Sequence, residues 1–300
     1  MTAPARRSIV EFSTGSAAVP EAQFELVTLK SGIKSLRQLA NREIFHPGIG
    51  PMEEASILHV EQQRLAERCA VPGEFVIWDV GLGAAANALC AIRALATCQA
   101  DVEIHSFDLS TAPLQFARQH AAALGYLLGY ADAIEQLLAT GYVEIGRLRW
   151  YLHLGDFREQ MLRLQVPPPH AVLYDPYSAS GNREMWTLEH FSLLRHRLDD
   201  KRTCLLTNYT RSTAVRVTWL LAGFYVGIGV SIGDKEETTV AANHLAGLSR
   251  PLGVDWLKRI ALSHSSSPLR QDPVPQAPMP ASDWARLCRH PQFLTAADEP

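Results

Sequence analysis

The sequence reads as an α/β protein built on a doubly wound, mostly parallel sheet with an antiparallel last strand. Three observations carry that reading: short strand-like runs alternate with helical stretches over residues 75–242, the first run ends in a Gly-Leu-Gly turn, and acidic residues follow the next runs. Residues 75–80 (FVIWDV) form a continuous apolar run, as expected of a strand covered on both faces. Further strands are expected at 102–107, 148–154, 171–174 and 204–209. Helices are expected at 84–97, 112–128, 131–138, 184–198 and 212–222, and residues 224–232 and 238–242 close the series as an antiparallel pair. Strand and helix in this order make βαβ units, and right-handed crossovers then generate a Rossmann-like sheet.

The flanks read differently. Residues 1–27 form a polar leader, either without fixed structure or with one strand at 8–12. Residues 28–246 are expected as one domain, with a cap segment at 28–73 and the sheet at 74–246. Within the cap, 28–50 is turn-rich and 53–69 has Ala55, Leu58, Leu65 and Ala66 spaced for one helix face, stopped by Pro72-Gly73. Residues 247–300 form a Pro-rich extension, expected to be flexible apart from a short helix at 283–288.

Composition narrows the function. With 47% hydrophobic and 20% charged residues, the 300-residue chain is an ordinary packed globule. A net charge of −3 excludes blanket electrostatic adhesion to nucleic acid or anionic lipid, while leaving room for a local basic patch. The longest apolar run, residues 219–232, is shorter than the roughly 20 residues a bilayer requires, so no membrane association is expected. The N-terminus lacks the apolar core of a secretory signal. Five scattered cysteines without a C-x-x-C pair indicate reduced thiols in a cytoplasm, and no metal site is expected.

Chemistry is expected beyond the carboxyl ends of the strands, where ligands of open α/β sheets bind. Gly81 and Gly83 allow a sharp turn and close ligand approach, and the next helix N-terminus offers free N–H groups. Asp79 precedes the turn and suits a ligand ammonium, Asp108 can accept from ribose hydroxyls, and Asp156 (LHLGDF) from an adenine amino group. Anionic pyrophosphate would be repelled by acids so placed. The pattern therefore favours S-adenosylmethionine, a cation, over a nicotinamide dinucleotide. Each acid taken alone could equally cap a loop or helix.

The fourth strand leads into DPYSASGNREMWT at residues 175–187. A carboxylate at Asp175 can orient an amine acceptor or take its proton. Asn182 belongs to the same acceptor side, and Tyr177 and Trp186 either stack a base or plug the core.

On these residues the chain resembles the methyltransferase domain of the bifunctional tRNA 5-methylaminomethyl-2-thiouridine biosynthesis protein MnmC, and its stand-alone relatives. The resemblance covers about residues 28–243. It rests on GIKSLRQLANREIFHPGIGPMEE, with an H-x-x-x-G-P-x-x-E frame at His46, Gly50, Pro51 and Glu54, on the glycine turn through Asn87, on Gly155-Asp156 and on the 175–187 stretch. It implies a class I S-adenosylmethionine-dependent methyltransferase whose cofactor contacts fall on Asp79, Gly81, Gly83, Asn87, Asp108 and Asp156, with Asp175 as acceptor-side carboxylate. It also implies tRNA as partner and an aminomethyl group on a tRNA uridine as methyl acceptor. Departures from the family are Ala85 for glycine, Asp79 and Asp108 for glutamate, and Ser180 and Arg183 for loop prolines. The FAD-dependent oxidase half of the bifunctional members is not expected in this chain, so fold and cofactor transfer better than wobble-uridine specificity. The alternatives are a methyltransferase for a small-molecule or peptide amine, and a non-catalytic member that binds a nucleotide or a partner protein.

Overall fold

A computed structural model describes residues 23–272 and 277–294, so the strand considered at 8–12 lies outside the described residues. The described chain opens with an antiparallel hairpin of β1 (Phe24–Thr28) and β2 (Lys34–Gln38). This pair takes residues 24–27 out of the expected leader and replaces part of the turn-rich reading of 28–50.

Residues 53–69 do not form the single helix that their spacing predicts. α1 (Pro51–Ala55) widens into a π-helical turn (Ser56–Glu61), Arg64 turns left-handed at φ 52°, and α2 (Leu65–Arg68) follows. Two buried polar side chains of this segment reach the sheet. His59 Nδ1 lies 2.8 Å from Thr207 Oγ1, and Gln63 donates to Thr207 Oγ1 and to the Val172 carbonyl. A π turn shifts the side-chain register by part of a turn, which apolar spacing does not reveal.

The sheet region follows in the expected alternation: β3 (Glu74–Val80), α3 (Ala86–Ala94), β4 (Asp101–Asp108), α4 (Ala112–Gln119), α5 (Ala121–Leu124) and α6 (Ala131–Thr140). Next come β5 (Tyr142–Ile145), β6 (Leu148–Leu154), α7 (Phe157–Arg163), β7 (Ala171–Tyr174), a 3₁₀ turn (Arg183–Trp186) and α8 (Leu188–His196). β8 (Leu205–Asn208), α9 (Thr213–Leu221), β9 (Tyr225–Ile228) and β10 (Thr239–Ala242) complete it. The eight strands lie in the order β5-β6-β4-β3-β7-β8-β10-β9. Strands β6, β4, β3, β7 and β8 are mutually parallel, while β5 at one edge and β10 near the other run antiparallel to their neighbours. The doubly wound reading and the antiparallel end therefore stand. The edge strand β5 is not among the expected strands, because four residues at a hairpin carry too little pattern to distinguish from a turn.

The order of the sheet decides where a ligand can sit. From β3 the chain winds first toward β4 and β6, then crosses back to β7 and β8, so a crevice opens between the carboxyl ends of β3, β4 and β7. Alanines 86, 88 and 91 of α3 are fully buried, and their small side chains let the helix lie close on the sheet. The opposite face holds Trp78, Trp186, Phe191 and Trp219 in one cluster.

The described residues of the extension expected to be flexible are instead docked. α10 (Val254–Ile260) buries Trp256, Leu257 and Ile260, and α11 (Ala281–Cys288) buries Leu287 completely. The Gln292 side-chain amide pairs with both the N–H and the carbonyl of Val226 at 2.7 Å, as a neighbouring strand would, and so covers the open edge of β9. Buried Asp283 accepts two 2.9 Å bonds from Arg270. Among the described residues, the large apolar side chains of α10 and α11 join one cluster with those of α9 and β9, partners that the local sequence does not show. Leu287→Ala should therefore lower unfolding free energy by about 2–5 kcal/mol in a urea titration. A change below about 0.5 kcal/mol, the size of an ordinary surface substitution, would mean that α11 does not dock.

Candidate active site

β3 ends in Val80, and the chain must then turn within five residues to start α3 at Ala86. Gly81 adopts φ +92° and Gly83 φ +52°, values that L side chains rarely take. At Gly81 the reason is also steric, since a Cβ there would lie 2.6 Å from the Asp175 carbonyl oxygen. Ala85, where the family often has glycine, also sits left-handed at φ 64°, so this chain tolerates a strained alanine where glycine would be relaxed.

The turn forms one wall of a cleft of about 650 Å³, well within the range of small-molecule sites. Seven of the sequence-predicted residues line it: Gly81, Gly83, Asp108, Asp156, Asp175, Tyr177 and Asn182. Asp108, at the end of β4, accepts from the Gly83 N–H at 2.8 Å and the Ser110 N–H at 3.2 Å. Burial raises the pKa of its carboxyl, and these backbone bonds oppose that. Asn182 presents a buried side-chain oxygen with no protein partner.

Asp175 follows β7 and faces the same space. Its N–H donates to the Val80 carbonyl at 2.9 Å, and its carboxylate accepts from Asn87 Nδ2 at 2.9 Å. Burial pushes its pKa up to about 7, against the Asn87 bond and the charge of Lys235. Tyr174, one residue earlier, points to the opposite face and buries its ring against Trp186 and Phe191.

Three predicted residues are not on the cleft wall. Asp79 is fully buried within the sheet, where Ser106 Oγ donates to it at 2.7 Å and Trp150 Nε1 donates to Ser106. Its other oxygen has no partner, and burial pushes its pKa up to about 8. Strand pairing with Ser106 turns it inward, beneath the place expected for a ligand ammonium. Asn87 is buried too, and acts on the cleft through Asp175. Trp186 takes the core role: its indole N–H donates to the Tyr177 carbonyl at 2.9 Å, so it supports the loop from behind and offers no face for stacking. Asp156 does reach the cleft but also caps α7 and is ion-paired with Arg158, which holds its carboxyl below the usual range.

Further residues complete the wall. Glu43 accepts from Ser178 N–H at 3.2 Å and Oγ at 2.6 Å, pinning the 175–183 loop to the segment after β2. Phe45 packs edge-on against Tyr177 and would lie 3.1 Å from a Cβ at Gly83. His46, Glu54, Tyr209 and Lys235 complete the end of the cleft near Asp175. His46 and Glu54 belong to the H-x-x-x-G-P-x-x-E frame, which was the available signal. Lys235 arrives from the β9–β10 connection, where nothing in the sequence marks it.

The residues fit S-adenosylmethionine. The glycine turn and Asp108 line the cleft side by side, and the acidic side chains of Asp175 on the wall and Asp79 behind it suit a cation. Among the described residues no group of histidines, cysteines and acids is placed to hold a metal ion.

Comparison with known proteins agrees with this chemistry. A family described as S-adenosyl-L-methionine-dependent methyltransferase matches residues 127–244. The bifunctional tRNA 5-methylaminomethyl-2-thiouridine biosynthesis protein MnmC of Ectopseudomonas mendocina is 30% identical over 236 residues, 74% of this chain and 35% of that protein. Its counterpart in Methylibium petroleiphilum is 27% identical over 210 residues, covering 66% and 31%. The chain thus spans about a third of the length of the curated relatives it matches. The crystal structure of MNMC2 from Aquifex aeolicus superposes with a TM-score of 0.67 at 28% identity, covering 84% of this chain and 80% of that one. Glycine turn, acid pattern and relatives agree, and the chain carries an MnmC-like, S-adenosyl-L-methionine-dependent methyltransferase domain.

Proposed function

We propose that the protein methylates the nitrogen of an aminomethyl group on a tRNA uridine, with Asp175 as the residue that holds the acceptor. The observation that carries this reading is the place of Asp175: a half-buried carboxylate just after β7, facing the cleft directly beside the glycine turn. The tRNA substrate is supported by the names of the curated relatives, and a cytoplasmic setting follows from such a substrate. Bound S-adenosylmethionine supplies a methyl group activated by the adjacent sulfonium. Asp79, Gly81, Gly83, Asp108 and Asp156 would hold it, with Asp79 acting from beneath the turn. Transfer is an in-line displacement, so orientation supplies most of the acceleration. Asn87 fixes the Asp175 carboxylate, Glu43 fixes the loop that follows, and Tyr177 and Asn182 offer a ring and an amide to the acceptor.

Asp175→Asn keeps shape and the ability to accept hydrogen bonds but loses charge. Single-turnover methyl transfer to tRNA should fall by about 10²–10⁴, with cofactor affinity within a few-fold. Because the carboxyl pKa is raised to about 7, ionised Asp175 accumulates only above that pH. kcat/KM should therefore climb as pH passes upward through about 7, and the Asn variant should lose that limb. Near-equal rates for the two chains would remove Asp175 from the mechanism. Nucleoside mass spectrometry of tRNA incubated with the enzyme identifies the methylated position, and an unmethylated uridine fraction would overturn the RNA reading.

Gly81→Ala forces an L residue into φ +92° and sets a Cβ against the Asp175 carbonyl. It should destabilise the fold by about 1–2 kcal/mol through backbone strain and lower turnover by displacing Asp175. Wild-type turnover in a variant with lowered melting temperature would show that the position of Asp175 is not set by this contact.

A further inference from the structure

His46 is one of the few non-glycine residues with positive φ, at 50°. Such strain persists only where surrounding structure imposes it, and it gathers at functional sites. Here the preceding residue is held at both its backbone groups: the Phe45 N–H donates to the Leu36 carbonyl at 2.8 Å, and Ser35 Oγ donates to the Phe45 carbonyl. The turn brings the imidazole onto the cleft wall, with Nε2 3.7 Å from Asp175 Oδ2. That separation is too long for a hydrogen bond between them, but a single nitrogen at about 2.9 Å from each could bridge both.

A neutral primary amine has two N–H bonds and one lone pair. With both N–H groups engaged, the lone pair is left free to point away from the two acceptors. We propose that Asp175 and His46 together clamp the acceptor as a neutral primary amine, and that His46 Nε2 receives the proton which that nitrogen sheds on methylation. The proposal rests on the amine reading above.

The step balances as follows. The substrate ammonium gives one proton to water before it enters the clamp. Its lone pair forms the N–C bond to the methyl carbon, and the C–S bond breaks with its electron pair returning to sulfur. The nitrogen now carries the positive charge, and one of its N–H protons passes to His46 and on to solvent. The resulting secondary amine keeps one N–H and satisfies only one of the two acceptors, which favours a single transfer.

The surroundings suit a neutral base. Burial lowers the pKa of His46, and the Glu54 carboxyl on α1 acts in the opposite direction. Facing it are Glu54, His59 on the π turn and Asp175 after β7; Tyr209 after β8 and Lys235 between β9 and β10 share the same end of the cleft.

The test uses the full chain with His46→Asn and His46→Gly, two residues that accept left-handed backbone. Calorimetry with 5-aminomethyluridine in the presence of S-adenosylhomocysteine should show tighter binding at pH 8 than at pH 6, and tenfold or greater weakening in His46→Asn. Single-turnover methylation of tRNA should drop about 10²–10⁴-fold in His46→Gly, and added imidazole should restore it in proportion to its free-base fraction. A nucleoside that wild-type protein does not bind, variants equal to wild type, or a loss that imidazole never restores would each overturn the clamp. If the nucleoside binds as described but tRNA is not methylated, the RNA reading fails and the clamp stands. If His46→Gly methylates tRNA at the wild-type rate, the clamp alone fails.

Discussion

Parallel pairing of β3 with β7 puts Val80 opposite Tyr174, and the Asp175 N–H completes the ladder on the Val80 carbonyl. The two chains leave the sheet so close together that only a residue without Cβ fits at position 81. The glycine turn and Asp175 are therefore one backbone assembly. Other contacts hang on it: Asn87 reaches Asp175 from the first turn of α3, and Asp108 reaches the Gly83 N–H from the end of β4. These partners lie 25 and 88 residues apart along the chain, so the crossover topology, more than local propensity, builds the site.

The electrostatics follow from burial. Asp79, Asp108, Glu54 and Asp175 all have carboxyl pKa values raised by desolvation, and Asp79 feels Asp108 and Asp175 as further negative charges. A cleft whose acids are held short of full ionisation is stabilised by an incoming cation, because each carboxylate gains a counter-charge that water no longer supplies. Asp156 is the exception, since Arg158 already neutralises it. The same burial that leaves these acids short of full ionisation lifts the Asp175 carboxyl to about 7.

The flanking segments complete the cleft and the sheet. The segment after β2 contributes Glu43, Phe45 and His46 to the wall, and Glu43 pins the loop after β7 through Ser178. The C-terminal elements close the opposite edge, where Gln292 pairs with β9 and Leu287 fills the core beside α9. An edge strand left uncovered would expose unpaired N–H and carbonyl groups, so the docked tail protects the sheet as well as enlarging its core.

Strand and helix alternation, the glycine turn and the acids at strand ends were legible in the sequence because each depends on local chemistry: periodicity, positive φ and the solvation of a carboxylate. From these the doubly wound sheet and seven residues of the cleft wall followed, with Asp175 among them. The placement of Asp79, Asn87 and Trp186 behind that wall did not, because which face a side chain meets depends on the strand or helix packed against it. Nor could local pattern show that Lys235 and His46 meet Asp175, or that a proline-broken tail docks on α9 and β9. Those outcomes belong to tertiary structure, since residues distant along the chain share one cleft only after the sheet has ordered its strands.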